Sequence, residues 1–252
     1  MSGVDVRADG ATRVVTLRWQ EKKNSLGPQE ARAITAAIDS VRADPDARAL
    51  VLTGEGAFCS GGDLRTFAEL SAALTVDEVR TRVYGDIQPM VLRLRDIPIP
   101  TIAAVDGPAV GLGMDLALAC DMRFIGPAGW LQQGWGRAGL IAATAGSWFV
   151  EQARPGLLWD LLADQPRLDG AACERLRLGQ PGEPDALSAA LARGQALAKV
   201  PSDTMAAYLD LNRRQRWPEP DYFDRCSAYQ AGFIGSERFR VLAGSLLSGS
   251  KG

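Results

Sequence analysis

The chain of 252 residues contains no histidine. That absence excludes a Ser-His-Asp or Cys-His nucleophile system and a zinc site of the HExxH type. Proton transfer must then use a carboxylate, a tyrosine, a lysine, a cysteine or water. Cysteine is sparse: Cys59, Cys120, Cys173 and Cys226 stand far apart, with no C-x-x-C pair. Buried thiols in a reducing cytoplasm are expected, with no metal site. Long apolar runs are missing as well. The two longest, Pro98–Val105 and Val110–Cys120, are interrupted by Asp106 and Asp115, short of the roughly 20 residues of a membrane span. Met1–Gly10 carries Asp5, Arg7 and Asp9 and no apolar stretch, so no signal peptide is expected. The net charge is −2, and Arg213, Arg214 and Arg216 form the only tight basic cluster. Neither nucleic acid nor a membrane surface is an expected partner.

What remains is an ordinary soluble composition, long enough to bury a core without disulfides or metal. Val4–Arg7 and Thr12–Trp19 read as strands around an Asp9-Gly10 turn. Pro28–Val41 has helical spacing, with Ala31, Ile34, Ile38 and Val41 on one face. Ala49–Leu52, Thr101–Val105 and Met122–Ile125 read as short buried strands. Helices are expected over Val76–Leu94, Leu112–Ala119 and Ala145–Leu162, then Asp185–Lys199, Asp203–Arg214 and Tyr222–Leu247, before a Ser/Gly tail, Ser245–Gly252. Repeated strand–loop–helix units followed by helices alone make this an α/β chain with a C-terminal helical region.

Two of the loops after strands are rich in glycine: Gly54–Leu64 and Asp106–Leu116. Each runs from a buried strand toward a helix. Glycine lets a ligand approach backbone N–H groups, and the N–H groups at a helix start have no intrahelical partner. Two such groups aimed at one point make an oxyanion hole. A dinucleotide-binding turn fits poorly, because Leu116 stands where the third glycine of Gly111-x-Gly113 should be.

The order of these loops resembles the crotonase (enoyl-CoA hydratase/isomerase) superfamily. Phe58-Cys59-Ser60-Gly61-Gly62-Asp63 is similar to its F-x-x-G-x-D loop, and Ile99–Asp121 to its signature segment. Glu21–Leu26 is similar to its E-x-x-N-A-L segment, which borders the CoA site. The resemblance covers nearly the whole chain and thins after Gly146. It implies a ββα superhelix core over residues 1–195 carrying an acyl-CoA site. It also implies a helical region over residues 196–252 that supports trimers or hexamers. The implied oxyanion donors are the N–H groups of Gly62 and Leu112. Lys23, Ser60, Gly61, Gly62 and Asp63 would border the CoA, which enters as part of the substrate with no other cofactor.

The resemblance also exposes a departure. Hydratases of the family hold a water between two glutamates, and those positions are Asp115 and Trp135 here. An aspartate draws its carboxylate back by roughly 1.5 Å, and misplacement of about 1 Å costs on the order of 10²-fold in rate. Tryptophan is worse, since its indole N–H only donates. Between Phe124 and Val150 the only charged residue is Arg137. Ordinary hydration is therefore not expected. The expected site is an oxyanion hole with Asp115 as its one carboxylate and an apolar wall at Trp130, Leu131 and Trp135, where Leu112 narrows the mouth. Tyr84, Asp86 and Glu151 are candidate auxiliary groups. Two functions follow: an enolate-stabilising acyl-CoA enzyme (by isomerisation, decarboxylation or hydrolysis), or a non-catalytic acyl-CoA binder.

Overall fold

A computed structural model describes residues 3–215 and 218–249; Arg216 of the basic cluster and the last three residues of the Ser/Gly tail lie outside them. Strands β1 (Val4–Asp9) and β2 (Thr12–Leu17) form the expected hairpin, with Asp9 opposite Thr12 and Gly10 at φ +57°. Helix α1 (Pro28–Ala43) buries Ala31, Ile34, Ile38 and Val41. Its start is fixed by Pro28 and by Glu30, whose carboxylate accepts from the Gly27 N–H at 2.9 Å. Further strands are β3 (Ala49–Gly54), β4 (Thr101–Val105), β5 (Pro108–Val110), β6 (Met122–Ile125), β7 (Trp130–Gln132) and β8 (Gln180–Pro181). Six of these make one sheet in the order β1-β2-β3-β4-β6-β8, parallel except for the hairpin. Strands β5 and β7 pair in parallel as a separate ribbon. Their three-residue length leaves too little periodicity to be read from sequence.

The chain between β3 and β4 holds more helix than expected. Helix α2 (Leu64–Ala73) begins directly at the end of the first glycine loop; Asp63 caps it by accepting from the Thr66 N–H at 3.2 Å. The single helix expected over Val76–Leu94 is α3 (Val76–Val79), a π-helical turn (Arg80–Tyr84) and α4 (Gly85–Asp96). Helix α5 (Leu112–Ala119) has its expected bounds. The helix expected over Ala145–Leu162 splits at Arg154-Pro155-Gly156 into α6 (Gly146–Ala153) and α7 (Leu157–Asp164), with Gly156 at φ +85°. After α8 (Gly170–Arg175), α9 (Ala186–Leu197) and α10 (Ser202–Gln215), the last expected helix divides at Gly235-Ser236 into α11 (Pro220–Ile234) and α12 (Glu237–Gly249).

The sheet is covered on both faces, as parallel strands require. On one face α9 packs Ala186 and Ala190 against Val14, Val51, Ile102 and Phe124. On the other, one apolar core joins Leu17, Leu50 and Leu52 to α1, α4 and α5, and continues into Phe223, Ile234 and Phe239 of the C-terminal helices. Helix α10 is tied down by Arg213, which binds the Asp121 carboxylate at 2.6 Å and the carbonyl of Ile99 at 3.1 Å. Burial pushes the Asp121 pKa up, but the bonds and charge of Arg213 outweigh it and hold the group below its ordinary value. Asp121 is therefore a structural carboxylate.

Candidate active site

The site is assembled by backbone. The Cys59 N–H donates to Pro108 O at 3.0 Å, and the Val110 N–H to Cys59 O at 2.9 Å. The first glycine loop therefore runs beside β5, while the Gly111 N–H reaches Gln132 O on β7 at 3.0 Å. Glycine is required at position 113, because a Cβ there would stand 2.1 Å from Cys59 O. The Glu21–Leu26 segment closes the other side. Asn24 accepts from the Trp19 N–H at 2.7 Å and donates to Ala57 O at 2.7 Å. The Ser60 N–H donates to Lys23 O at 3.0 Å, so the exposed Lys23 adjoins the first loop.

Leu26 bonds to the carbonyl of Gly61 and to the N–H of Asp63, both at 2.9 Å. This parallel bridge turns the intervening Gly62 N–H away from Leu26. Leu112 opens α5, where an N–H has no intrahelical partner. Among the described residues neither N–H is engaged. The loops approach closely here: a Cβ on Gly61 would lie 4.0 Å from the Leu112 nitrogen. The expected narrowing by Leu112 does not occur, since its side chain is fully buried in the main core.

A cavity of about 210 Å³ opens beside these loops, lined by Ser60, Gly61, Gly62, Gly111, Gln132, Trp135 and Arg137 among others. It is smaller than the roughly 300–1,000 Å³ of most small-molecule sites. Trp135 explains part of that. Its ring comes within 3.3 Å of where a Gly62 Cβ would be and 3.6 Å of the equivalent point on Gly111. Beneath it, Trp135 Nε1 donates to Asp115 Oδ2 at 3.0 Å, and Thr144 Oγ1 donates to the same oxygen at 2.7 Å. Asp115 Oδ1 rests against Gly146, where a Cβ would stand 1.8 Å away.

Asp115 is thus buried and absent from the cavity lining. Burial pushes its pKa up to about 7, against the pull of the bonds from Thr144 and Trp135. Asp115, expected as the one carboxylate of the site, is separated from the cavity by Trp135, whose ring lines it. Thr144 and Gly146 were missed in the sequence, where nothing ties either of them to Asp115, 29 residues earlier for the threonine.

Other expected residues fall outside the cavity. Asp63 caps α2 and pairs with Lys22 at 3.2 Å. Trp130 stacks under Arg167, 4.5 Å from its ring centre, and does not line the cavity. Glu151 accepts the N–H groups of Gly156 and Leu158, and Asp86 pairs with Arg32. Tyr84 is buried, and burial raises its pKa. All four cysteines are buried, and among the described residues no His/Cys/Asp/Glu group could hold a metal ion. No described helix is long and apolar enough to cross a membrane.

The fold recurs in solved structures. An enoyl-CoA hydratase/isomerase from Mycobacterium paratuberculosis superposes with a TM-score of 0.87 at 26% identity, covering 97% of this chain and 98% of that one. An enoyl-CoA hydratase from Polaromonas gives 0.80 at 28% identity, over 89% and 88% of the two chains. The fold is that of the crotonases. Within it, residues 7–155 match the enoyl-CoA hydratase/isomerase family, and the chain belongs to that family. A probable enoyl-CoA hydratase of Mycobacterium tuberculosis is 32% identical over 205 residues, 75% of this chain and 74% of that protein.

Proposed function

We propose that the protein binds the CoA thioester of a short acyl group and stabilises its enolate with the N–H groups of Gly62 and Leu112. One observation carries this reading: two unengaged N–H groups on adjoining loops beside a small cavity. Donors fixed in advance stabilise developing negative charge without reorganising at the moment of reaction. Lys23, Ser60, Gly61, Gly62 and Asp63 border the CoA, and no cofactor beyond the CoA of the substrate takes part. The protein acts in the cytoplasm as a trimer or hexamer. Exposed Tyr208, Leu211, Tyr229 and Val241 on the three last helices support assembly through residues 196–252.

Hydration by a carboxylate pair is not its reaction. Trp135 holds the second position and engages Asp115, leaving no carboxylate among the described lining residues. The proton at the α-carbon therefore exchanges with water. Butyryl-CoA in deuterated buffer tests this: binding with deuterium entering the α-position is expected, and it survives in Asp115→Asn. Loss of exchange in that variant makes Asp115 the proton carrier after all. Crotonyl-CoA hydration faster than about 1 s⁻¹, the lower end of ordinary turnover, would refute the loss of the pair. The sequestered Asp115 also favours a second reading, a non-catalytic acyl-CoA binder. Tight binding without α-exchange would establish that one.

A further inference from the structure

Arg137 is the one charged side chain lining the cavity among the described residues. It sits on the short 3-10 turn Gly136–Ala138, two residues after Trp135. The turn is anchored at its root. The N–H groups of Ala138 and Leu140 both donate to Trp135 O, at 3.1 and 2.9 Å, and Asp115 fixes the indole below. The guanidinium is exposed and, among the described residues, makes no ion pair or hydrogen bond. Gln132, which also lines the cavity, donates its amide to Gln165 O at 2.6 Å. An apolar acyl end would use none of the five N–H donors that Arg137 holds beside the cavity.

We propose that Arg137 receives a second carboxylate carried by the acyl group, so that the preferred substrates are CoA thioesters of short dicarboxylic acids. This rests on the acyl-CoA reading above. A planar guanidinium matches a carboxylate through two parallel N–H···O bonds, which sets orientation as well as attraction. The exposed position limits the gain in affinity, and the preference over an acyl group without the carboxylate is that same gain. A carboxylate held this way is stabilised as an anion in the ground state.

Calorimetric titration of the full chain with glutaryl-CoA, butyryl-CoA and free CoA tests the assignment. Glutaryl-CoA should bind up to about fivefold tighter than butyryl-CoA, and Arg137→Gln should abolish that preference while leaving butyryl-CoA and CoA within about twofold. Equal binding of the two thioesters by the unaltered protein would overturn it, as would a preference that survives Arg137→Gln. Equal weakening of all three ligands in Arg137→Gln would overturn it too, because the guanidinium would then serve a CoA phosphate. Failure of butyryl-CoA and CoA to bind at all would instead remove the acyl-CoA reading beneath it.

Discussion

The two halves of the site differ in what they are made of. The loop side is backbone: the N–H groups of Gly62 and Leu112, held by strand-like bonds among Leu26, Cys59, Ala109 and Val110. The wall side is side chain: Asp115, Trp135 and Thr144 bonded to one another. Backbone chemistry tolerates substitution wherever the new side chain can find a place in the core, as Leu112 does. Side-chain chemistry has no such freedom. A tryptophan at position 135 removes a proton acceptor and also captures the carboxylate opposite. The loops could therefore be retained while the acid–base wall became something else, a buried pin that fixes an indole.

The largest expected effect attacks the wall. Asp115 has a folded pKa of about 7, raised by burial above its ordinary 3.8. The folded chain holds this proton more tightly than the unfolded one. The stability it contributes is therefore fully present below about pH 4 and lost as pH rises through about 7. At 1.36 kcal/mol per pKa unit the loss is at most about 4 kcal/mol. Cys59, pushed up to about 12, stays neutral over this range. Carboxylates with lowered pKa, among them Asp121 and Glu151, slope the other way. The readout is accordingly the difference between the native chain and Asp115→Asn in denaturant midpoints from pH 4 to 8. A flat difference would mean that Asp115 is not a buried acid.

The next effect attacks the loops. Gly113→Ala puts a methyl about 2 Å from the Cys59 carbonyl, a backbone group that no rotamer change can move aside. It should cost about 3 kcal/mol in chemical unfolding and weaken butyryl-CoA binding, since the loop that carries Leu112 shifts from its neighbour. Leu112→Met, by contrast, keeps the N–H and most of the buried volume, so binding should stay within about twofold. Equal damage from both changes would end the claim that this side works through its backbone.

Much of the loop side was legible in the sequence, and little of the wall was. Glycines at fixed distances after buried strands have a mechanical meaning that a single chain reveals. The bounds of β4, α5 and β6 followed from apolar runs closed by Gly, Pro and Asp. Position 135 could be read as lacking a base, because that is a property of tryptophan itself. Its partnership with Asp115 could not, because it depends on how the segment from Trp130 to Gly146 folds back over α5. That segment has only a three-residue strand and a short 3-10 turn, neither with a periodic signature. Trp130 shows the same limit: an aromatic in the right stretch of sequence that stacks on Arg167 away from the cavity.

The smallest effect separates the indole's two roles. Trp135→Phe keeps an aromatic ring over Gly62 and Gly111 but removes the N–H, leaving Thr144 as the one donor to Asp115 among the described residues. Losing one bond to a buried acceptor costs about 1–2 kcal/mol where the carboxyl is ionised, and less where it is protonated and needs no donor. The penalty should therefore be larger at pH 8 than at pH 5, and the pH at which the loss of stability from Asp115 levels off should move above 7. A smaller ring also widens the cavity, so a bulkier thioester such as hexanoyl-CoA should gain on butyryl-CoA. A pH-independent penalty with altered acyl preference would show the indole acting on the cavity alone. A shifted pH profile with unchanged preference would show it acting on Asp115 alone. Both changes together are what a single side chain facing the cavity and pinned from below requires.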